Sequence, residues 1–174
     1  GLTFDNCSFS NNIAETGGAV YIDDARNIEF RRCQFFENLG NYGGGLYLND
    51  SGTNNDRITL QNCIFWNQSA LDGGAIKSHN SKISINYCTV YGNKALAQEP
   101  IGGGFHSGYY AGGGSDISVI NSIFYENIGG SYPQLYVYPG TPISLTYSNI
   151  DGGIDFIDGG GFEDIGNIKN NPLF

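Results

Sequence analysis

Cysteine recurs in this chain at nearly regular intervals, and its surroundings recur with it. With cysteine as position zero the series is Cys7, Cys33, Cys63 and Cys88, continuing as Ser122 and Ser148, with spacings of 26, 30, 25, 34 and 26 residues. Two positions on stand Phe9, Phe35, Phe65, Val90, Phe124 and Ile150, all apolar. Five on stand Asn12, Asn38, Gln68, Asn93 and Asn127. Ten on come Gly17-Gly18, Gly43-Gly44 and Gly73-Gly74; the fourth copy has Gly102-Gly103 after four extra residues, and the fifth has Tyr132-Pro133. Next comes an apolar residue: Val20, Leu46, Ile76, Phe105, Leu135. Upstream, at minus five and minus three, lie Leu2/Phe4, Ile28/Phe30, Ile58/Leu60, Ile83/Ile85, Ile117/Val119 and Ile143/Leu145. Self-similarity at such a period marks a repeat architecture.

Each row carries three short runs of alternating apolar residues, and none has helical period or length. Alternation over a few residues means a strand with one face buried. Asn, Asp, Gly and Ser separate the runs as turns. The whole chain, residues 1–174, then reads as one all-β domain: a single-stranded right-handed parallel β-helix of about six coils, each of three short strands. Equivalent strands stack about 4.8 Å apart. Each stacked Ile, Phe or Leu contributes roughly 1.5–3 kcal/mol by burial. Stacked Asn at plus five is expected to hydrogen-bond along its column. The minus-one column, Asn6, Asn62 and Asn121 interrupted by Arg32 and Tyr87, reads as a second, less complete ladder.

All four cysteines fall in one inward column, where neighbouring Cα atoms come within disulfide range. Yet Ser122 and Ser148 occupy the same column, so a small residue is all the position needs, and stacked free thiols are favoured over disulfides. Tetrahedral zinc needs converging ligands, which a column does not supply. The 8 basic and 17 acidic residues give a formal charge of −9. That argues against nucleic acid, whose binding runs on phosphate neutralisation by Lys and Arg, and against an anionic membrane surface. No apolar run is long enough to span a bilayer. The chain begins at Gly1 inside a strand and contains no Met, and is read as a processed chain or excised fragment.

Phe-x-x-Asn paired with Gly-Gly-Ala-(Ile/Val/Leu) resembles the repeats of the chlamydial polymorphic outer-membrane adhesins. Here it appears as FSNN at 9–12, FFEN at 35–38 and FYEN at 124–127, with GGAV at 17–20 and GGAI at 73–76. The ending, from Tyr147 to Gly153 and from Gly166 to Phe174, looks like the last coil of secreted bacterial right-handed β-helix proteins. The resemblance implies adhesion or display, outside the cell or on a bacterial surface. Related β-helices include polysaccharide lyases and pectin-cleaving hydrolases.

Catalytic signals are sparse. The basic residues are scattered, and Glu37 and Glu126, which share the plus-four column, stand coils apart, whereas paired-carboxylate glycoside hydrolysis needs roughly 5–9.5 Å. His79 reads as a solvated loop histidine. The plus-fourteen column, Tyr21, Tyr47, Lys77, His106 and Tyr136, is turned outward by strand alternation and reads as a solvated strand face. The plus-three column, Ser10 followed by Phe36, Trp66, Tyr91 and Tyr125, also points outward. Such an apolar stripe is one that soluble monomers usually avoid. It is either a platform for sugar rings or a partner surface, or it is covered by the turn toward the glycines or by the insertions at 98–101 and 50–56. The acidic loop with Asp151, Asp155 and Asp158, then Glu163 and Asp164, could hold calcium but matches no EF-hand spacing.

No cofactor is expected. The expected function is a non-catalytic adhesion or display module binding glycan, or a host or neighbour-cell surface protein, through the outward aromatic column Phe36, Trp66, Tyr91 and Tyr125, with Tyr21, Tyr47, Lys77, His106 and Tyr136 as further candidate contacts. Two alternatives remain: a filament subunit self-associating head to tail, and a lyase- or hydrolase-like β-helix.

Overall fold

The computed structural model describes residues 1–99, 101–108, 115–153, 157–158 and 162–172. Each row contributes one strand to each of three parallel sheets. The strands preceding position zero, from Leu2–Asp5 and Ile28–Arg31 through to Phe162–Ile165, form a seven-stranded sheet. Those just after it, Ser8–Ser10 through Asn149–Ile150, form a six-stranded sheet. Those after the glycines, Val20–Asp23 through Ile157–Asp158, form another of six. A short pair, Ser69–Ala70 and Lys94–Ala95, is added at the turn. All of these pairings are parallel, and they follow the sequence columns residue for residue: Phe9 pairs with Phe35, Phe35 with Phe65, Phe65 with Val90. The four extra residues of the fourth copy leave Ile76 paired with Phe105, so the insertion is absorbed outside the sheets.

The core is the set of inward columns. Phe9, Phe35 and Phe65 stack face to face, with centroids 4.7 and 4.4 Å apart. Phe30, Phe35, Phe65, Phe105 and Phe124 are fully buried. The position-zero column demands more than smallness. The Cys88 N–H donates to Ser122 Oγ (3.0 Å), and the Ser122 N–H donates to Ser148 Oγ (3.1 Å). In the same way the Cys63 N–H donates to Cys88 Sγ at 3.4 Å. Each side chain in turn donates back to the carbonyl two residues earlier, as Ser122 Oγ does to Ile120 O (2.9 Å) and Cys33 Sγ to Arg31 O (3.2 Å). Cys and Ser interchange because both accept and donate at one atom. The four thiols are free, and only Cys7 is not buried.

The plus-five ladder is present and double-stitched. Asn93 Oδ1 accepts the Gln68 N–H (2.9 Å), while Asn93 Nδ2 donates to Phe65 O (3.0 Å) and to Asn127 Oδ1 (2.9 Å). Gln134 closes the run by accepting from Asn127 Nδ2 at 2.6 Å. The expected second ladder at minus one is not what that column is for. Its residues are exposed and share a left-handed backbone: Asn6, Arg32, Asn62, Tyr87, Asn121 and Tyr147 have φ of 54, 52, 54, 56, 50 and 50°. Asn is frequent there because it tolerates this conformation at lower cost than most residues. Plus four is a second such corner, with Asn11, Glu37, Asn67, Gly92 and Glu126.

At the glycine pair the first residue needs positive φ and the second needs space. Gly43 has φ 61°, and a Cβ on Gly44 would lie 2.4 Å from the carbonyl oxygen of Gly74 in the next coil. That turn brings plus nine against the third sheet.

Candidate functional site

The two outward columns form as the repeat predicts, with different outcomes. Along plus three, Ser10, Phe36, Trp66, Tyr91 and Tyr125 are in register on the outer face of the second sheet. Phe36 and Trp66 stack at 5.0 Å and Tyr91 and Tyr125 at 6.2 Å, each pair within 11° of parallel. Tyr91 is 39% exposed, and Phe36, Trp66 and Tyr125 are half-buried. Burial and hydrogen bonding of this kind leave the phenols protonated: the hydrogen bond and charge of Glu126 push Tyr91 up.

Along plus fourteen, Tyr21, Tyr47, Lys77, His106 and Tyr136 pair in sequence across the third sheet. The expectation of a solvated face fails at its centre. Lys77 and His106 are only 9% and 5% exposed. The reason is Asp72, at plus nine in the turn just before Gly73, which reaches over the strand. Its Oδ2 is ion-paired with Lys77 Nζ, and its Oδ1 accepts from His106 Nδ1. Tyr42, on the neighbouring coil at the same turn position, bridges to Asp72 through the backbone and lies 5.1 Å from Lys77 Nζ, ring centroid to nitrogen. Sequence reading missed Asp72 and Tyr42. Their column, Thr16, Tyr42, Asp72, has no shared chemistry, and only the stacking of turn over strand brings it to plus fourteen.

The electrostatics of this centre follow from its geometry. Burial alone would raise the Asp72 carboxyl. The hydrogen bond and charge of His106 and the charge of Lys77 outweigh burial and hold it below the usual carboxylate range. Burial pulls His106 below the ordinary histidine value against the opposing pull of Asp72, and the charge of Lys77 adds to the lowering. Near neutral pH the centre is therefore an ionised Asp72 with its charge met by Lys77, beside a neutral His106. The proton of that imidazole lies on Nδ1, facing the carboxylate, and Nε2 is an acceptor.

Tyrosines extend the centre both ways along the axis. Tyr21 and Tyr47 stack at 5.4 Å, and Tyr42 and Tyr47 tilt together at 6.3 Å. On the other side, His106 meets Tyr136 edge-on at 4.9 Å, and Tyr136 meets Tyr132 at 5.7 Å. Tyr132 belongs to a cleft of about 370 Å³ lined by Glu99, Ile101, Gly130, Ser131 and Tyr132. The Gly73 N–H donates to Ile101 O, so the cleft adjoins the Asp72 turn one coil on.

Other sequence readings resolve as follows. His79 is not a loop histidine: it ends the strand Ile76–His79, and its Nδ1 hydrogen-bonds Asn49 Oδ1 at 2.9 Å. Glu37 and Glu126 are separated by three coil steps, about 14 Å at one strand spacing per coil, which no paired-carboxylate hydrolysis spans. Of the proposed calcium loop, Asp151 accepts from Gln134 Nε2 at 3.4 Å. Asp155 and the side chains of Asp158, Glu163 and Asp164 lie outside the described residues. Among the described residues no three His, Cys, Asp or Glu side chains group as metal ligands.

Three parallel sheets wound by one chain, with side-chain ladders along the axis, define a parallel β-helix carrying an axial row of aromatic and polar groups. The chain belongs to the right-handed β-helix region family, whose model matches residues 1–171. That family includes both enzymes and non-enzymes. No curated protein and no solved structure matches the chain.

Proposed function

We propose that this chain is a glycan-binding module of a secreted or cell-surface protein, serving adhesion or display. Its ligand lies parallel to the solenoid axis on the row Tyr21, Tyr47, Lys77, His106, Tyr136. The observation that carries this reading is Asp72 fixing Lys77 and His106 in the middle of a tyrosine-lined row. Sugar sites combine aromatic faces, on which the C–H face of a ring stacks, with a few polar groups held in fixed orientation. One coil rises about 4.8 Å, close to the length of a single pyranose unit in an extended chain, so the row and an extended sugar chain share a pitch, with tyrosines on the first, second and fifth coils and Lys77 and His106 between them. The plus-three stripe offers a second aromatic face, for glycan or partner protein, without a buried polar centre. The adhesin-like FxxN and GGA motifs support a surface setting.

A glycan panel tests this, followed by Tyr47→Ala and Trp66→Ala variants titrated with whichever glycan binds. Tyr47→Ala should weaken binding roughly tenfold, an aromatic contact's worth, and Trp66→Ala should change it little. The reverse order would move the site to the stripe, and a panel with no binder would sink the reading. A catalytic reading has one observation in its favour, the Nε2 acceptor of a carboxylate-held neutral His106. Shortened or unsaturated chains after prolonged incubation with the bound glycan would establish it.

A further inference from the structure

Ser122 and Ser148 keep the position-zero ladder with a hydroxyl, yet the four preceding rows all carry a thiol there. Thiols add redox chemistry that hydroxyls lack, and the column sets them one coil apart. Cys7 and Cys33 are the pair that solvent can reach. The Asn6 N–H donates to Arg31 O and the Gln34 N–H to Cys7 O, both at 2.9 Å, so hydrogen bonds on either side hold Cys7 opposite Cys33. One strand spacing, about 4.8 Å, separates their Cα atoms, inside the roughly 4.4–6.8 Å range of disulfides. Both side chains point the same way. Each thiol donates to the carbonyl two residues earlier, Cys7 Sγ to Asp5 O at 3.4 Å and Cys33 Sγ to Arg31 O at 3.2 Å. Cys33 Sγ also reaches back to the first row, 3.4 Å from Phe4 O. Cys63 and Cys88 repeat this arrangement but are sealed, at 0% and 1% exposure, whereas Cys7 is half-exposed.

We infer that Cys7 and Cys33 are a redox-responsive pair, which a low-molecular-weight disulfide converts into a staple between the first and second coils. The thiolate of Cys7 attacks one sulfur of the reagent, whose S–S bond breaks and releases one thiol. The thiolate of Cys33 then attacks Cys7 Sγ, the mixed disulfide breaks, and a second thiol leaves. The protein loses two electrons and two protons, and the reagent takes up both to end as two thiols. The closed loop contains the strands Ser8–Ser10, Val20–Asp23 and Ile28–Arg31. It ties down the whole end coil, including Tyr21 at the start of the outward row. This chemistry is independent of what the row binds.

The test is incubation of the reduced chain with glutathione disulfide at mildly alkaline pH, quenched with acid and mapped by mass spectrometry with and without dithiothreitol. The Cys7 and Cys33 peptides should become linked, leaving Cys63 and Cys88 as thiols and no lasting glutathione adduct. Closure should raise the melting temperature by several degrees, and dithiothreitol should reverse the rise. Cys33→Ser, a residue that the column already holds at Ser122 and Ser148, should keep glutathione on Cys7 and show no such rise. Cys7→Ser should take up no glutathione in the same time. A lasting adduct on Cys7 of the parent chain, with Cys33 still a thiol, would overturn the pair. Linkage of Cys33 to Cys63, or of Cys63 to Cys88, at the same rate would overturn it too, as would four unreacted thiols. Linkage without the rise in melting temperature would overturn the staple.

Discussion

At the residue scale, one carboxylate decides the character of the site. Among the described residues, Asp72 is the one acid partner that Lys77 and His106 share, and both are nearly closed off from water. Replacing it leaves an ammonium and an imidazole side by side without a counter-charge. Asp72→Asn is expected to lower unfolding free energy by about 3 kcal/mol, read from urea melts at neutral pH. His106 also sets a pH dependence. Its folded value lies below 6.5, so between that value and the folded one the unfolded chain binds the extra proton. Stability linked to His106 is therefore full above about pH 6.5 and declines as pH falls through that window. Melts at pH 7.5 and 5.5 should show this loss in the parent chain and a smaller one in His106→Gln; equal losses would refute it. The Asp72 contribution has the familiar carboxylate sign: present above its unfolded value of 3.8 and lost as pH drops through its lowered folded value.

At the element scale, the ladder is the most concentrated source of specificity. Asn93 accepts one backbone N–H and donates to a carbonyl and to Asn127, all in a fully buried setting. Truncation to Ala leaves these groups unpaired in the core. Asn93→Ala should cost about 3 kcal/mol or more in a denaturant melt, whereas an exposed corner residue such as Asn62 should tolerate Asp with little change. Strand positions, inward columns and the ladder were legible in the sequence because stacking makes each a column of like residues. The minus-one corner was legible as a column but not in its meaning, since a backbone preference and a side-chain ladder both enrich Asn. The Asp72 centre was hidden for a different reason. Turn residues stack on strand residues of a different column, so the contact has no single offset at which repetition would show it.

At the scale of the whole molecule, the coils are linked mainly to their neighbours, and protection should be graded along the axis. Cys63 and Cys88 lie in the interior rows, fully buried, while Cys7 in the first row is half-exposed. Burial pushes Cys33 up; the hydrogen bond between Cys63 and Cys88 lowers Cys63 and, with burial, pushes Cys88 well up, so the protection of Cys63 rests on its complete burial. Under native conditions a thiol reagent should modify Cys7 first, with Cys63 and Cys88 reacting only as fast as the interior rows open. Modification of Cys88 at the rate of Cys7 would contradict the graded order. The first row also shows its apolar lining, where Leu2, Phe4, Val20, Ile22 and Ile28 border a cleft of about 270 Å³.

The four-residue insertion before Gly102 leaves the sheet register intact, with Ile76 still opposite Phe105 and Lys77 opposite His106. The fold therefore keeps two lengths independent. Turns can grow or shrink to remodel the surface beside the row, while the pitch between successive strands is fixed by the backbone. Under the proposed glycan reading, a molecule built this way is a ruler: loop sequence would set what is bound, and the number of coils would set how long a stretch is bound.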